Sequence, residues 1–235
     1  MRLALNNVTY EIKGQRILDQ LSCEITTGIT YIIGKNGSGK STLLKMCATA
    51  LQPTAGTIEY TKLVENQQTV FQRKSLTTEE IRRTIGYMPQ EFTGYAELSI
   101  ERYLQYMATH KGIPRRHVKN IVHKWLEETN LYPIRRKALF TLSGGQLKKV
   151  GLIQALINQP QICILDEPFE ALDQMERYYF DRFLRRYAFH SIILISTNIV
   201  EEMQEGDVLY LDRGWVRLFT GLEEESYQQV KEWIE

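Results

Sequence analysis

Apolar positions recur along the chain with two different periods, and the changes of period mark out its elements. Short β-rich runs alternate with stretches of helical spacing, the pattern of a largely parallel sheet covered by helices. Leu3–Tyr10 and Ile17–Ile25 read as strands, Ile29–Ile33 as a short apolar strand ending at Gly34, and Lys40–Leu51 as a helix. Pro53-Thr54-Ala55-Gly56 is a turn before the strand-like Thr57–Tyr60. Lys62–Ser75 is polar and Gln-rich and reads as a surface excursion. Thr77 with Glu80 three residues on is a capping box for a short helix, after which Thr84–Met88 returns to strand.

Between Glu97 and Phe140 the period becomes helical. Ile100, Tyr103, Leu104 and Met107 form one stripe; Val118, Ile121, Val122, Trp125 and Leu126 form a second, and Gly112-Ile113-Pro114 separates them. From Ser143 the alternation resumes: helix to Ile157, strand Ile162–Leu165, helix from about Gln174, strand Ile192–Ile195, helix from Val200, and strands near Val208–Leu211 and Trp215–Phe219. An acidic amphipathic helix, Leu222–Ile234, closes the chain. The expected organisation is one α/β domain over 1–235, its parts 1–96 and 141–235 flanking a helical insertion at 97–140.

Composition narrows the function classes. Hydrophobic residues make up 43% and charged residues 24%, and the net charge is +1, ordinary for a globular chain and too balanced for disorder by self-repulsion. The balance gives no electrostatic argument for nucleic acid or an anionic membrane as the main partner. No apolar run approaches the ~18 residues of a membrane span, and Met1–Asn7 turns polar too early for a signal peptide. Cys23, Cys47 and Cys163 are scattered and odd in number, so they read as small core residues in a reducing compartment and not as a disulfide framework or zinc site.

Three strings carry the chemistry. Gly34-Lys35-Asn36-Gly37-Ser38-Gly39-Lys40-Ser41 fits the P-loop pattern in full, between an expected strand and an expected helix. Its glycines let backbone N–H groups converge on phosphate oxygens, and the helix from Lys40 aims its positive end at the anion. Lys40 is placed for the β- and γ-phosphates and the Ser41 hydroxyl for Mg²⁺, with Thr42 next on the same helix start. Ile162-Cys163-Ile164-Leu165-Asp166-Glu167 is an apolar strand delivering two acids at its carboxyl end, the ligand-binding edge of a doubly wound sheet. Neighbours on a strand face opposite ways, so Asp166 suits the water shell of Mg²⁺ and Glu167 the polarisation of an attacking water. Leu142-Ser143-Gly144-Gly145-Gln146 occurs by chance in a chain this long roughly a few times in ten thousand on average residue usage. Ser143 and Gln146 alone make a capping box, but that leaves both glycines unexplained; together they describe a second anion site at an exposed helix start.

With these strings in order, the chain resembles the ATP-binding subunit of ABC transporters over nearly its whole length. The resemblance takes in the P-loop at Gly34–Ser41, a Q-loop glutamine at Gln90, the signature Leu142–Gln146, the Walker B strand ending at Asp166-Glu167 and the D-loop Ala171-Leu172-Asp173. It implies a P-loop NTPase core with a mostly parallel sheet, an N-terminal antiparallel β-subdomain and an α-helical subdomain. Leu98–Gly112 and Ile195–Glu202 look most like ATPases paired with ABC-2 type export permeases. The implied mechanism sandwiches two ATP molecules between two subunits, in a homodimer or a heterodimer. Lys40, Ser41, Gln90, Asp166 and Glu167 come from one subunit and Ser143, Gly144, Gly145 and Gln146 from the other. Mg²⁺ would be held through Ser41, Gln90 and Asp166. The partner is a separately encoded permease and not nucleic acid, and the place of action is the cytoplasmic face of the plasma membrane. Phe92, Tyr95, Tyr103 and Tyr106 are candidates for the groove that receives a permease helix, against core or scattered surface positions as the alternative; for Tyr103, whose spacing fits the apolar stripe, the core reading is the stronger.

The sequence departs from the family pattern at four places. Asn198 stands in Ile195-Ser196-Thr197-Asn198 where the family has a switch histidine. Asn donates a hydrogen bond but carries no charge, and losing one preorganised stabiliser typically costs about 10²–10³ in rate, so hydrolysis is expected to be slowed. Ile12 stands where an aromatic usually stacks on adenine, with Tyr10 two residues earlier as the other candidate. Glu170 replaces Ser in the D-loop, and Lys35 replaces Pro in the P-loop. Two other readings stand beside the transporter motor: a nucleotide-gated non-catalytic subunit, which Asn198 keeps open, and a soluble non-transport ABC ATPase, against which the lack of a second cassette, an inserted coiled coil or a basic stripe weighs.

Overall fold

The computed structural model describes residues 1–65, 71–198, 203, 205–212 and 214–219. The chain opens with a hairpin of β1 (Arg2–Ile12) and β2 (Gln15–Thr26). Its two-residue turn, Lys13-Gly14, has φ of 50° and 77°, the left-handed pair that matches strand twist. Then follow β3 (Gly28–Ile33), α1 (Lys40–Cys47), β4 (Ala55–Glu65), β5 (Phe71–Ser75), α2 (Thr78–Thr84) and β6 (Ile85–Met88). The helical insertion supplies α3 (Ile100–His110) and α4 (Arg115–Glu128), and the rest supplies α5 (Gly144–Leu156), β7 (Ile162–Asp166), α6 (Gln174–Ala188), β8 (Ile192–Ser196), β9 (Asp207–Asp212) and β10 (Trp215–Phe219).

Two sheets result. One is antiparallel, ordered β2-β1-β4-β5; the other is ordered β10-β9-β3-β8-β7-β6 and is parallel except for β10. Every residue of β7 and β8 is buried, as strands covered on both faces require. On one side Leu3, Leu18, Leu43, Leu44 and Ile81 fill the space between the two sheets, α1 and α2. On the other, Tyr103, Leu104, Val122, Trp125, Phe180 and Leu184 bind α3–α6 to the main sheet. The ends of the insertion are stitched together by Ile100 N–H to Lys137 O (3.0 Å) and Leu139 N–H to Leu98 O (3.0 Å), so the helical unit leaves and rejoins the core at one point. Among the described residues no helix is long and apolar enough to cross a membrane.

Three expectations change. The first helix stops at Cys47, four residues before Leu51. Thr49 takes the left-handed conformation (φ 58°), and the N–H groups of Thr49 and Ala50 bond the carbonyls of Met46 and Lys45, a Schellman motif. No glycine advertises this stop; Arg82 of α2 secures it by bonding the Thr49 hydroxyl and carbonyl. Lys62–Ser75 is not an excursion throughout: β4 continues to Glu65 and pairs with β5 as the edge of the antiparallel sheet. Gln72, Arg73 and Lys74 are exposed there, so the strand carries no apolar alternation to read. Finally, β7 ends at Asp166, and Glu167 turns out of the strand with φ 48°. The two acids diverge because the backbone turns, not because strand neighbours alternate. The helices expected from Val200 and at Leu222–Ile234 lie outside the described residues.

Candidate functional site

The carboxyl ends of β3, β6, β7 and β8 lie along one edge of the main sheet, and each runs into a residue singled out by the sequence. β3 leads into the P-loop, β6 to Gln90, β7 to Glu167 and β8 to Asn198.

The P-loop is shaped by its backbone. Gly34 has φ 151°, and a Cβ there would lie 2.2 Å from the Leu211 carbonyl oxygen; at Gly39 (φ 104°) it would lie 2.8 Å from a Leu18 methyl. The first contact is with backbone and cannot be relieved, and at the second the positive φ strains any side-chain-bearing residue, so both positions favour glycine. Gly39 also caps α1 without a side-chain bond, which leaves the first-turn N–H groups free to bind an anion. The Ser38 hydroxyl is buried without a hydrogen-bond partner, an orphan that a phosphate oxygen would satisfy. Lys40 is 6% exposed, and its ammonium donates to the carbonyls of Gly34 (2.7 Å) and Lys35 (3.3 Å). Burial pulls its pKa down from the usual lysine value, and the carboxylates of Glu167 and Asp166 push it back up.

Glu167 is held at every polar point. Gln90 Nε2 donates to one carboxylate oxygen (2.7 Å) and Asn198 Nδ2 to the other (2.9 Å), while Asn198 Nδ2 also reaches Asn36 Oδ1 in the P-loop (3.2 Å). The Glu167 N–H donates to Ser196 Oγ (2.8 Å), whose hydroxyl donates to Asp166 (2.6 Å). Asp166 is 1% exposed and stands behind the cleft wall, within electrostatic reach of Lys40. Lys40, Ser41, Thr42, Gln90, Glu167 and Asn198 all face one cleft of about 800 Å³. Tyr10, Ile12 and Ile17 also line it, so both candidates for adenine contact lie on the wall, Ile12 at 48% exposure. None of His110, His117, His123 and His190 lines it. For Mg²⁺ the residues fit: a hydroxyl, a side-chain amide oxygen and a carboxylate are the hard oxygen donors it takes, with water and phosphate completing the shell.

The signature lies elsewhere. Ser143 caps α5 in a full capping box with Gln146, and Ser143 and Gly144 are exposed while Leu142, Gly145 and Gln146 are half-buried. A Cβ on Gly144 would meet nothing within 4 Å, whereas one on Gly145 would lie 2.6 Å from the Ala171 carbonyl oxygen, so the D-loop packs against the signature. No signature residue lines the cleft. Phe92 and Tyr103 belong to the core at 9% and 3% exposure, which removes both from the permease groove; Tyr95 and Tyr106 are exposed, packed edge to face at 5.4 Å. Sequence reasoning missed a capping box at Asp173/Glu176 that starts α6, although the D-x-x-E spacing was there to read.

Fold and site together define a P-loop nucleotide-binding domain. Residues 18–170 match the ABC transporter family, and the chain belongs to that family as its ATP-binding domain. It is 30% identical over 200 residues to the ABC transporter ATP-binding protein YxlF of Bacillus subtilis, a match covering 84% of this chain and 63% of that one. It is 35% identical over 176 residues to a second ABC transporter ATP-binding protein, from Methanocaldococcus jannaschii, covering 74% of this chain and 66% of the other. The chain thus spans less than two thirds of the length of either relative. A solved ATP-binding subunit of an ABC transporter superposes with a TM-score of 0.82 at 22% identity, covering 98% of this chain and all of that one.

Proposed function

We propose that this chain is the ATP-hydrolysing subunit of a membrane ABC transporter, an export system of the ABC-2 type, acting at the cytoplasmic face of the membrane through a separate permease. One observation carries the reading: Lys40, Gln90, Glu167 and Asn198, contributed by four different strand ends, converge on one cleft, while no signature residue lines it and Ser143 and Gly144 stand exposed. A single chain therefore holds two halves of different sites, and pairing two subunits head to tail completes both. The chain acts as one domain with a helical insertion at 97–140.

In this reading Gly34–Thr42 cradle the phosphates, and Lys40 neutralises the β- and γ-groups. Ser41, Gln90 and Asp166 would hold Mg²⁺, which when bound would offset phosphate charge. Tyr10 or Ile12 contacts adenine. Glu167 orients a water and accepts its proton as the water oxygen bonds to the γ-phosphorus and the bond to the β-phosphate oxygen breaks, leaving ADP and phosphate. Asn198 donates a neutral hydrogen bond where the family has an imidazole, so the step is slowed. The partner's Ser143, Gly144, Gly145 and Gln146 grip the γ-phosphate from the far side, and its loss on hydrolysis lets the halves part. The test is phosphate release from MgATP by wild type beside Glu167→Gln. Release by wild type and none by the variant, with nucleotide bound by both, supports the motor. Nucleotide binding with no release by wild type favours the gated, non-catalytic subunit that Asn198 would permit.

A further inference from the structure

The helix that starts at the signature also reaches back into its own subunit's ATP site through a single buried side chain. Lys148, the fifth residue of α5, is 8% exposed. Its ammonium donates to the Glu167 carbonyl (3.0 Å) and the Gln90 carbonyl (3.4 Å) and stands 3.6 Å from the Glu170 carboxylate. These are the backbones of the two residues whose side chains bond each other at the reacting end of the cleft (2.7 Å), plus the D-loop acid that departs from the family pattern.

The contact falls where the backbone needs it. Glu167 sits at φ 48°, a conformation a side-chain-bearing residue holds only when its surroundings impose it. Ser196 fixes its N–H, and Lys148 fixes its C=O. A buried ammonium with two carbonyls and one carboxylate around it is satisfied, and removing it leaves the two part-buried carbonyls without that donor. We infer that Lys148 is a positioning residue for hydrolysis, clamping the Glu167 turn and the Q-loop to the signature helix, so that the surface meeting the partner's nucleotide and the subunit's own attacking-water site move as one body. Glu170 completes the clamp with the charge that serine could not supply. The assignment rests on the motor reading of the cleft.

The test compares Lys148→Met, Lys148→Arg and Glu170→Gln with wild type by steady-state ATP hydrolysis, nucleotide affinity, melting temperature, and amide hydrogen exchange of residues 163–172 in the nucleotide-free protein. Lys148→Met is expected to lower kcat at least tenfold with nucleotide affinity within threefold of wild type, and to speed exchange at the Glu167 turn at least tenfold. Lys148→Arg, which keeps charge and donors, is expected to recover kcat to within threefold. Glu170→Gln, on an exposed side chain, keeps the fold intact and is expected to reduce kcat a few-fold. Unchanged exchange at 163–172 in Lys148→Met overturns the clamp even if wild type proves to hydrolyse nothing, so failure of the inference and failure of the motor reading are separable. Equal loss of kcat and affinity in the Met and Arg variants, or a kcat within twofold of wild type in Lys148→Met, also overturns it.

Discussion

Asn198→His is the substitution that most directly tests the slowed-hydrolysis reading, and the structure sets its size. If position 198 contributed nothing, restoring a preorganised donor would be worth about 10²–10³ in rate. Asn198 is not silent, however: its amide already lies 2.9 Å from Glu167 and 3.2 Å from Asn36, inside the cleft. What it lacks is charge. An imidazolium about 4 Å from a phosphate oxygen gains about 1 kcal/mol in bulk water and about 4 kcal/mol at the surface of a protein. Asn198 is exposed, so the lower end applies, about 1–1.5 kcal/mol or roughly tenfold in kcat. The gain follows the protonated fraction of a residue whose ordinary pKa is ~6.5. The Asn198→His advantage should therefore be largest near pH 6 and shrink towards pH 8. Asn198→Ala should fall about a hundredfold below wild type, because it removes the donor as well. The assay is phosphate release at saturating MgATP from pH 6 to 8. Asn198→His within twofold of wild type at both ends, or Asn198→Ala as fast as wild type, would refute the reasoning.

Other consequences are equally open to measurement. Glu167→Gln should lose at least about a hundredfold in kcat, the lower range for a general base, while nucleotide affinity measured by fluorescence stays within a few-fold. Ser143→Ala breaks the capping box of α5 and should cost about 1 kcal/mol, seen calorimetrically as a fall of about 2–4 °C in Tm for a chain this size. Gly34→Ala would drive a Cβ into the Leu211 carbonyl and should lower stability by about 1–3 kcal/mol, read from the urea midpoint, with nucleotide binding lost. Burial pushes the Cys23 thiol up to about 11 and Cys163 up to about 12, and Cys47 higher still. All three should therefore resist a disulfide reagent at pH 8 until the chain unfolds. Because these folded values lie above the ordinary thiol value of ~8.5, the associated stability is intact below that pH and is lost as pH rises from there towards 11. A melting temperature that held steady over that range would contradict it.

What the sequence disclosed and what it hid divide along a physical line. The P-loop, the boxes at Thr77/Glu80 and Ser143/Gln146 and the two helical stripes of the insertion are local: a few residues at fixed spacing dictate their own backbone, so the string suffices. The misses depend on the partner across the fold. Thr49 ends α1 in a left-handed turn because Arg82, thirty-three residues on, holds its carbonyl and hydroxyl. The edge strand Phe71–Ser75 is a strand by hydrogen bonds to β4, and Gln72, Arg73, Lys74 and Ser75 are all exposed, so they show no apolar period. Phe92 reads as an exposed docking residue from its place after Gln90, but Gly151 of α5 leaves the space that makes it core. Glu167 is the most informative case. Its identity and place at a strand end were legible, and its conformation was not. The left-handed turn is sustained by Ser196 from β8 on one side and Lys148 from α5 on the other, and these two elements meet only in the folded sheet. The chemistry of this chain is thus written in short strings, whereas the backbone turn behind its carboxylate is held by Ser196 and Lys148, which no spacing rule singles out. Substitutions that spare every motif, Lys148 first among them, should still reach the reaction.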